Sequence, residues 1–297
     1  MAWRSRLSAV VLILVLLLAG CGSSKKAVTS ASTSGGSLFT KLPSSVQSSK
    51  ELKVGSDIEY APIEFFKEGT QQTQGVDFDL AQAMGKKLGV KVTFIDDTDF
   101  AGIIGALQAG RFDIIMSAMN DTPERRGKGV DLVDYFTAGS SILVQKGNPK
   151  AIKGVDDLCG QTVAVQKGTT QDTDILTPEE AKCRTTGKPI TVLRFEKDTD
   201  ALQQVKNARA VANLEDFPVA AYNAQTSGSG KDFDVVTGQV GTQYSYGIAV
   251  PKANTQLRDS MQAALKAIIA DGTYDQVLTK WDVSAGALKT AGINGAS

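Results

Sequence analysis

The sequence predicts an α/β fold built as two successive strand–helix units, and three features predict it. From Glu51 to Arg126, short apolar runs alternate with segments of helical period. After Gly147-Asn148-Pro149 the same alternation starts over. Residues 111–126, RFDIIMSAMNDTPERR, hold the pattern in one stretch: a β-branched strand, a small polar turn and a helix with Thr122 as cap and Pro123 at its first position. At 297 residues the chain is long enough for two domains with substantial cores.

The first unit opens with a strand from Glu51 to Val54 that ends in Gly55-Ser56-Asp57. A loop over Ile58 to Pro62 and a short strand from Ile63 to Phe66 follow. Leu80, Ala83, Met84 and Leu88 share a helical face closed by Gly89. Val90 to Ile95 alternates as a strand, and Phe100 opens a helix closed by Gly110. In the second unit, strands are expected at Ser141 to Val144, Thr162 to Val165, Ile190 to Phe195, Ala210 to Leu214 and Tyr246 to Val250. Helices are expected from Thr199 to Asn207, from Val219, from Leu257 to Ala270 and from Thr273 to Trp281.

Composition is that of an ordinary globular protein, 42% hydrophobic and 22% charged with a formal net charge of zero. That balance gives no nucleic-acid surface. Histidine is absent, which removes the commonest general base and metal ligand. Arg4 and Arg6 precede an apolar run from Leu7 to Leu18, too short for an ordinary membrane span. It ends in Leu18-Ala19-Gly20-Cys21, which resembles a bacterial lipobox: cleavage before Cys21 and lipidation of that residue. A plain signal peptide cut nearby is the alternative, and it too exports the protein. The Ser-, Thr- and Gly-rich stretch that follows, to about Lys50, reads as a flexible tether. Two cysteines remain, Cys159 and Cys183. In an oxidising compartment they read as a disulfide, and as two buried thiols otherwise. Two cysteines without histidine argue against a metal site.

Four loops stand at expected strand ends, around Asp57–Tyr60, Ser117–Arg125, Gln166–Thr170 and Glu215–Asp216. Ligands of open α/β sheets sit outside the carboxyl ends of strands. Arg125 is unusual there, because a cation in the first turn of a helix opposes the macrodipole unless an anion shares the site. An α-amino acid zwitterion needs donors for its carboxylate and an acceptor for its ammonium. Arg125 with the Thr170 N–H supplies the first, and Asp216 the second.

At these residues the sequence resembles the bacterial solute-binding protein family 3, the amino-acid receptors of ABC importers. The matching stretches run collinearly over about residues 51–283 and include VGSDIEYAPIEF, QGVDFDLAQAMGKKLGVKVTF, DFAGIIGALQAGRFDIIMSAMNDTPERR, TVAVQKGTTQ and LEDFPVAAY. The resemblance implies a two-lobed periplasmic-binding-protein-like fold of type II, with two hinge strands and the ligand cleft between the lobes. The expected division is a signal peptide (1–20), a tether (21–50), a first lobe (51–141, completed by 243–297) and a second lobe (142–242). It also implies carboxylate binding by Arg125, Thr169 and Thr170, ammonium binding by Asp216, and small polar contacts from Ser117, Ala118 and Asn120. Tyr60 covers the ligand side chain, with Phe100 as a facing wall. Asp57, Glu215 and Gln166 make the side-chain end polar and partly acidic, which favours glutamine or a cationic amino acid. Ala118 lacks a hydroxyl that some family members present, so its contact is expected from the backbone. The implied protein is a monomeric, lipid-anchored receptor serving a membrane importer, with no cofactor. A sensor module for a signalling partner, or a dehydratase on the same fold, are the alternatives.

Overall fold

The computed structural model describes residues 38–96, 99–236 and 238–295. The expected signal peptide, Cys21 and the expected tether to residue 37 lie outside the described residues. The expected continuation of that tether to residue 50 is corrected. Leu38–Lys41 is a 3-10 turn and Ser44–Ser49 a helix, α1. Leu42 and Val46 are buried in the first lobe's core, with Leu38 and Phe39 packed beside them. Gln256 donates to the Leu42 carbonyl at 3.1 Å and Ser260 to the Lys41 carbonyl at 2.8 Å. The serine-rich composition hid four apolar residues spaced closely enough to dock one short segment.

Strand β1 (Glu51–Gly55) is followed by a separate three-stranded hairpin sheet of β2 (Glu59–Tyr60), β3 (Glu64–Phe66) and β4 (Thr73–Gln74). Helix α2 (Val76–Leu88) buries Leu80, Ala81, Met84 and Leu88 and ends on Gly89 at φ 72°, a left-handed cap that glycine adopts without strain. Strand β5 (Lys91–Ile95), helix α3 (Ile103–Gln108), strand β6 (Ile114–Ile115) and helix α4 (Pro123–Gly127) complete the first pass. The long strand β7 (Val130–Gln145) leads into β8 (Thr162–Gln166), α5 (Thr177–Thr185), β9 (Thr191–Phe195) and α6 (Asp198–Lys206). Next come β10 (Ala212–Asp216), α7 (Phe217–Thr226) and β11 (Phe233–Val235). A second long strand, β12 (Val240–Pro251), returns to the first lobe, where α8 (Thr255–Ala270) and α9 (Thr273–Lys280) close the fold.

The main sheet has the order β5-β1-β6-β12-β7-β10-β8-β9, with β11 on β7. Strand β1 is parallel to β5 and β6, and β8 is parallel to β9 and β10. Each end of the sheet is therefore the parallel array that the alternation predicts. Between them β7 and β12 pair antiparallel with each other. These two strands are the hinge. On β7, Val133, Tyr135 and Phe136 pack with Leu80, Met84 and Leu265 in one core, while Ile142 and Val144 pack with Leu158, Val163 and Leu176 in another. On β12, Tyr246, Ile248 and Val250 join the first core and Val240 lies against the second. The expected lobe boundaries at 141/142 and 242/243 fall inside these strands. Sequence reasoning saw only the far ends of both, because burial on both faces removes any alternation from β7.

Cys159 and Cys183 form a disulfide. It ties the turn before β8 to α5, a helix that the polar run from Gln171 to Thr185 did not announce. With a sequence separation of 24, the crosslink stabilises by about 3 kcal/mol in the chain-entropy account. Replacing both cysteines by serine therefore lowers the unfolding midpoint of the ligand-free protein in calorimetry, while the site lies elsewhere and remains formed. Leu42→Ala costs about 2–5 kcal/mol, and a chain begun at Ser48 loses both buried anchors. Equal midpoints for chains begun at Leu38 and at Ser48 would count against the docking of this segment.

Candidate functional site

The cleft between the lobes is lined by all eleven of the expected ligand-binding residues: Asp57, Tyr60, Phe100, Ser117, Ala118, Asn120, Arg125, Gln166, Thr169, Thr170 and Asp216, together with Glu64 and Gln171. The free space left between them is about 20 Å³, room for little more than one water.

Arg125 is held by the local structure that its sequence context predicts. Thr122 caps α4 by accepting the Arg125 N–H at 3.2 Å, and Pro123 starts the helix. The guanidinium is buried, lies over the Phe100 ring with 5.1 Å to its centroid, and donates to the Asn120 carbonyl at 2.9 Å. It also reaches the second lobe, donating to the Gly168 carbonyl at 3.2 Å. Burial lowers its pKa to about 10, against the pull of Asp216 and other acids. It stays a cation at neutral pH, in a setting that solvates it poorly.

Asp216 ends β10 on the other lobe and caps α7 by position. The Tyr246 hydroxyl donates to its Oδ2 at 2.8 Å and Gln171 Nε2 to its Oδ1 at 2.8 Å. Its own N–H donates to the Tyr60 hydroxyl at 2.8 Å. Burial pushes the carboxyl up to about 6, opposed by the hydrogen bonds from Tyr246 and Gln171 and by the Arg125 charge.

Below the cleft on the first lobe sits an acid pair that sequence reasoning did not single out. Glu64 accepts from the Ser117 hydroxyl at 3.0 Å, and Asp77 accepts the Ala118 N–H at 3.1 Å. The Ala118 N–H expected to face the ligand is thus already engaged; this residue turns at φ 44° and lines the cleft with what remains. Burial raises Asp77 to about 7 and Glu64 further above its usual range, the neighbouring Asp77 charge adding to the latter. A second pair lies under the other lobe: Asp198, pushed up to about 6 by burial, and Glu215, raised by burial and by Asp198. Glu215 accepts from Asn213 and Asn223 and does not line the cleft.

The remaining residues bridge the lobes. Asn120 Nδ2 donates to the Thr170 hydroxyl at 2.7 Å. Thr169 turns its hydroxyl inward to the Gln166 carbonyl at 2.8 Å, fixing the loop after β8. Gln166 Nε2 donates to Asp57 Oδ2 at 2.5 Å. Asp57, whose pKa burial raises in spite of Lys197 and Gln166, is thus bonded across the cleft. Glu64, Asp77, Tyr246 and Lys197 were missed because each reaches the site from another element and none carries a local signal of its own, while Gln171 directly follows Thr170 in a loop already placed at the site.

The buried acids give a sign to the pH dependence. Each binds a proton more tightly folded than unfolded, so their contribution is complete near pH 4 and is lost as pH rises through about 6 to 7. The ligand-free protein is accordingly more stable to heat at pH 5 than at pH 8. A midpoint that rises over that interval would contradict the burial of these pairs.

The model of the bacterial extracellular solute-binding proteins, family 3, matches residues 52–284. The arginine-binding protein ArgT of Corynebacterium glutamicum is 32% identical over 254 residues, spanning 85% of this chain and 81% of that protein. Among solved structures, an ancestral amino acid-binding protein described as a precursor of cyclohexadienyl dehydratase is 39% identical with a TM-score of 0.70, over 80% of this chain and 97% of the other. An ancestral arginine-binding protein bound to glutamine is 38% identical with a TM-score of 0.69, over 79% and 98%. The match takes in both lobes, both hinge strands and every residue of the cleft, and the chain belongs to the bacterial extracellular solute-binding proteins, family 3.

Proposed function

We propose that this chain captures a polar or cationic L-amino acid, arginine before glutamine, and presents it in closed form to an ABC importer. The observation that carries the reading is the division of Arg125 and Asp216 between lobes, both buried and both lining one cleft. Arg125 and the Thr169–Thr170 loop take the carboxylate, Asp216 takes the ammonium, and Tyr60 with Phe100 flanks the side chain. A zwitterion satisfies both lobes at once, so it favours the closed state by differential affinity.

Side-chain preference rests on Glu64. Asp57 already has its oxygens bonded to Gln166 and Lys197, so the acidic character open to a ligand comes from the Glu64–Asp77 pair. A guanidinium beside Glu64 favours its ionised form. Glutamine gains the main-chain contacts but leaves that potential unused. Relatives that bind arginine or glutamine support the same class. A dehydratase needs an acid free to protonate a leaving group. Glu215, the extra carboxylate that the sequence offers, is bonded away from the cleft, which favours receptor over enzyme.

In the cell, the reading places Cys21 as a lipidated N-terminus that holds a monomeric receptor at the outer face of the membrane. Cys21→Ala would then release the protein into the medium or periplasm, where fractionation detects it. Titration calorimetry tests the ligand: L-arginine binds the wild type, and neither Arg125→Ala nor Asp216→Asn binds it measurably. Glu64→Gln weakens arginine by roughly tenfold or more, the scale of a hydrogen bond to a charged group, and leaves glutamine close to wild type. Equal losses for both ligands would remove Glu64 from the selectivity argument.

A further inference from the structure

Asp57 lies at the side-chain end of the cleft, yet both of its carboxylate oxygens are taken by the opposite lobe. Lys197 Nζ is 2.7 Å from Oδ1, and Gln166 Nε2 holds Oδ2. Lys197 stands immediately before α6, and its ammonium also lies 3.5 Å from Glu59 Oε1 and 3.8 Å from Asp96 Oδ1. Two residues on, the Thr199 hydroxyl donates to Glu59 Oε2 at 2.6 Å. One cation of the second lobe thus meets three carboxylates of the first across the mouth of the cleft.

The burial is unequal: 25% of the Lys197 side chain is exposed against 5% of Asp57. Burial alone would discharge the lysine, but the hydrogen bond and charge of Asp57 outweigh it and raise its pKa above the usual lysine value. The lysine therefore stays a cation at neutral pH. Removing the lysine leaves a nearly inaccessible carboxylate without a counter-charge, a costly state that a group of opposite sign relieves.

Resting on the amino-acid receptor reading above, we infer that Lys197 is a specificity-determining residue of the cleft. By neutralising Asp57 it sets how much positive charge the ligand must bring, and the same contact ties the lobes together. With Lys197 present, a neutral side chain meets no orphaned charge at Asp57. Without it, a ligand cation substitutes for the missing ammonium and a neutral ligand cannot.

The test is a titration of wild type, Lys197→Met, Lys197→Arg and the double variant Lys197→Met/Asp57→Asn with L-arginine and L-glutamine, beside small-angle scattering of each protein without ligand. In Lys197→Met, glutamine affinity falls by about tenfold or more, as expected for one broken, partly exposed charge pair. Arginine loses less, so the arginine-to-glutamine ratio rises. The double variant removes the orphaned charge and returns the ratio toward wild type, and Lys197→Arg keeps it there. The ligand-free Lys197→Met protein scatters as a more open molecule. An unchanged ratio, including equal losses for both ligands, overturns the specificity role. If the wild type takes neither amino acid, the receptor reading fails on its own. Ligand-free scattering then still decides the bridge: a Lys197→Met protein no more open than wild type overturns it.

Discussion

Arg125 and Asp216 carry opposite charge, are both buried, and belong to different lobes. Each is poorly solvated where it stands, as the lowered pKa of one and the raised pKa of the other record. Buried ions tolerate such sites only when hydrogen bonds or counter-charges surround them. The neighbouring side chains are arranged accordingly. Phe100 and the Asn120 carbonyl serve the guanidinium, and Tyr246 and Gln171 serve the carboxylate. On the proposed reading each lobe lacks the second half of a zwitterion's recognition, so a ligand that offers both ends would be held only when the lobes meet.

The sheet makes that meeting reproducible. Because β7 and β12 each have one end in the core of either lobe, the lobes cannot separate without breaking two long ladders. They can twist where the ladder is already irregular. The shifts in β12 fall between Val240 and Tyr244 and between Tyr246 and Gly247. Gly247 packs so closely on Leu132 that an added Cβ would stand 2.6 Å from its side chain. Tyr246, at the same irregularity, hydrogen-bonds Asp216. The hinge therefore touches Asp216 directly, the carboxylate proposed to receive the ligand's ammonium.

Sequence reasoning read the parts of this arrangement that have local causes. Thr122-Pro123 before Arg125 is a capping pattern, and it fixed both the helix and the orientation of the arginine that follows. The alternation of apolar runs placed most strands and helices within a few residues. Family resemblance then carried the remaining cleft positions, all of which the fold brings together. The failures were long-range or compositional. A polar segment at 38–50 docked because four apolar residues outweighed its serines. Residues 171–185 folded as a π-turn and α5 on polar sequence. Glu64, Asp77, Tyr246 and Lys197 matter through partners 13 to 140 positions away, as the Lys197–Asp57 separation illustrates, and no window of sequence contains both members.

The acid pairs beneath the cleft follow from the same constraint as the divided charges. Two ionised carboxylates side by side in a buried site repel and lose their hydration, so a lone Glu64–Asp77 dianion would destabilise the first lobe. Burial holds both carboxyls toward their neutral forms, with Ser117 and Ala118 fixing the geometry. An arriving cation changes the balance, since its field favours ionisation of the carboxyl nearest to it. On the proposed reading, a cationic ligand would offset the charge that burial disfavours at Glu64.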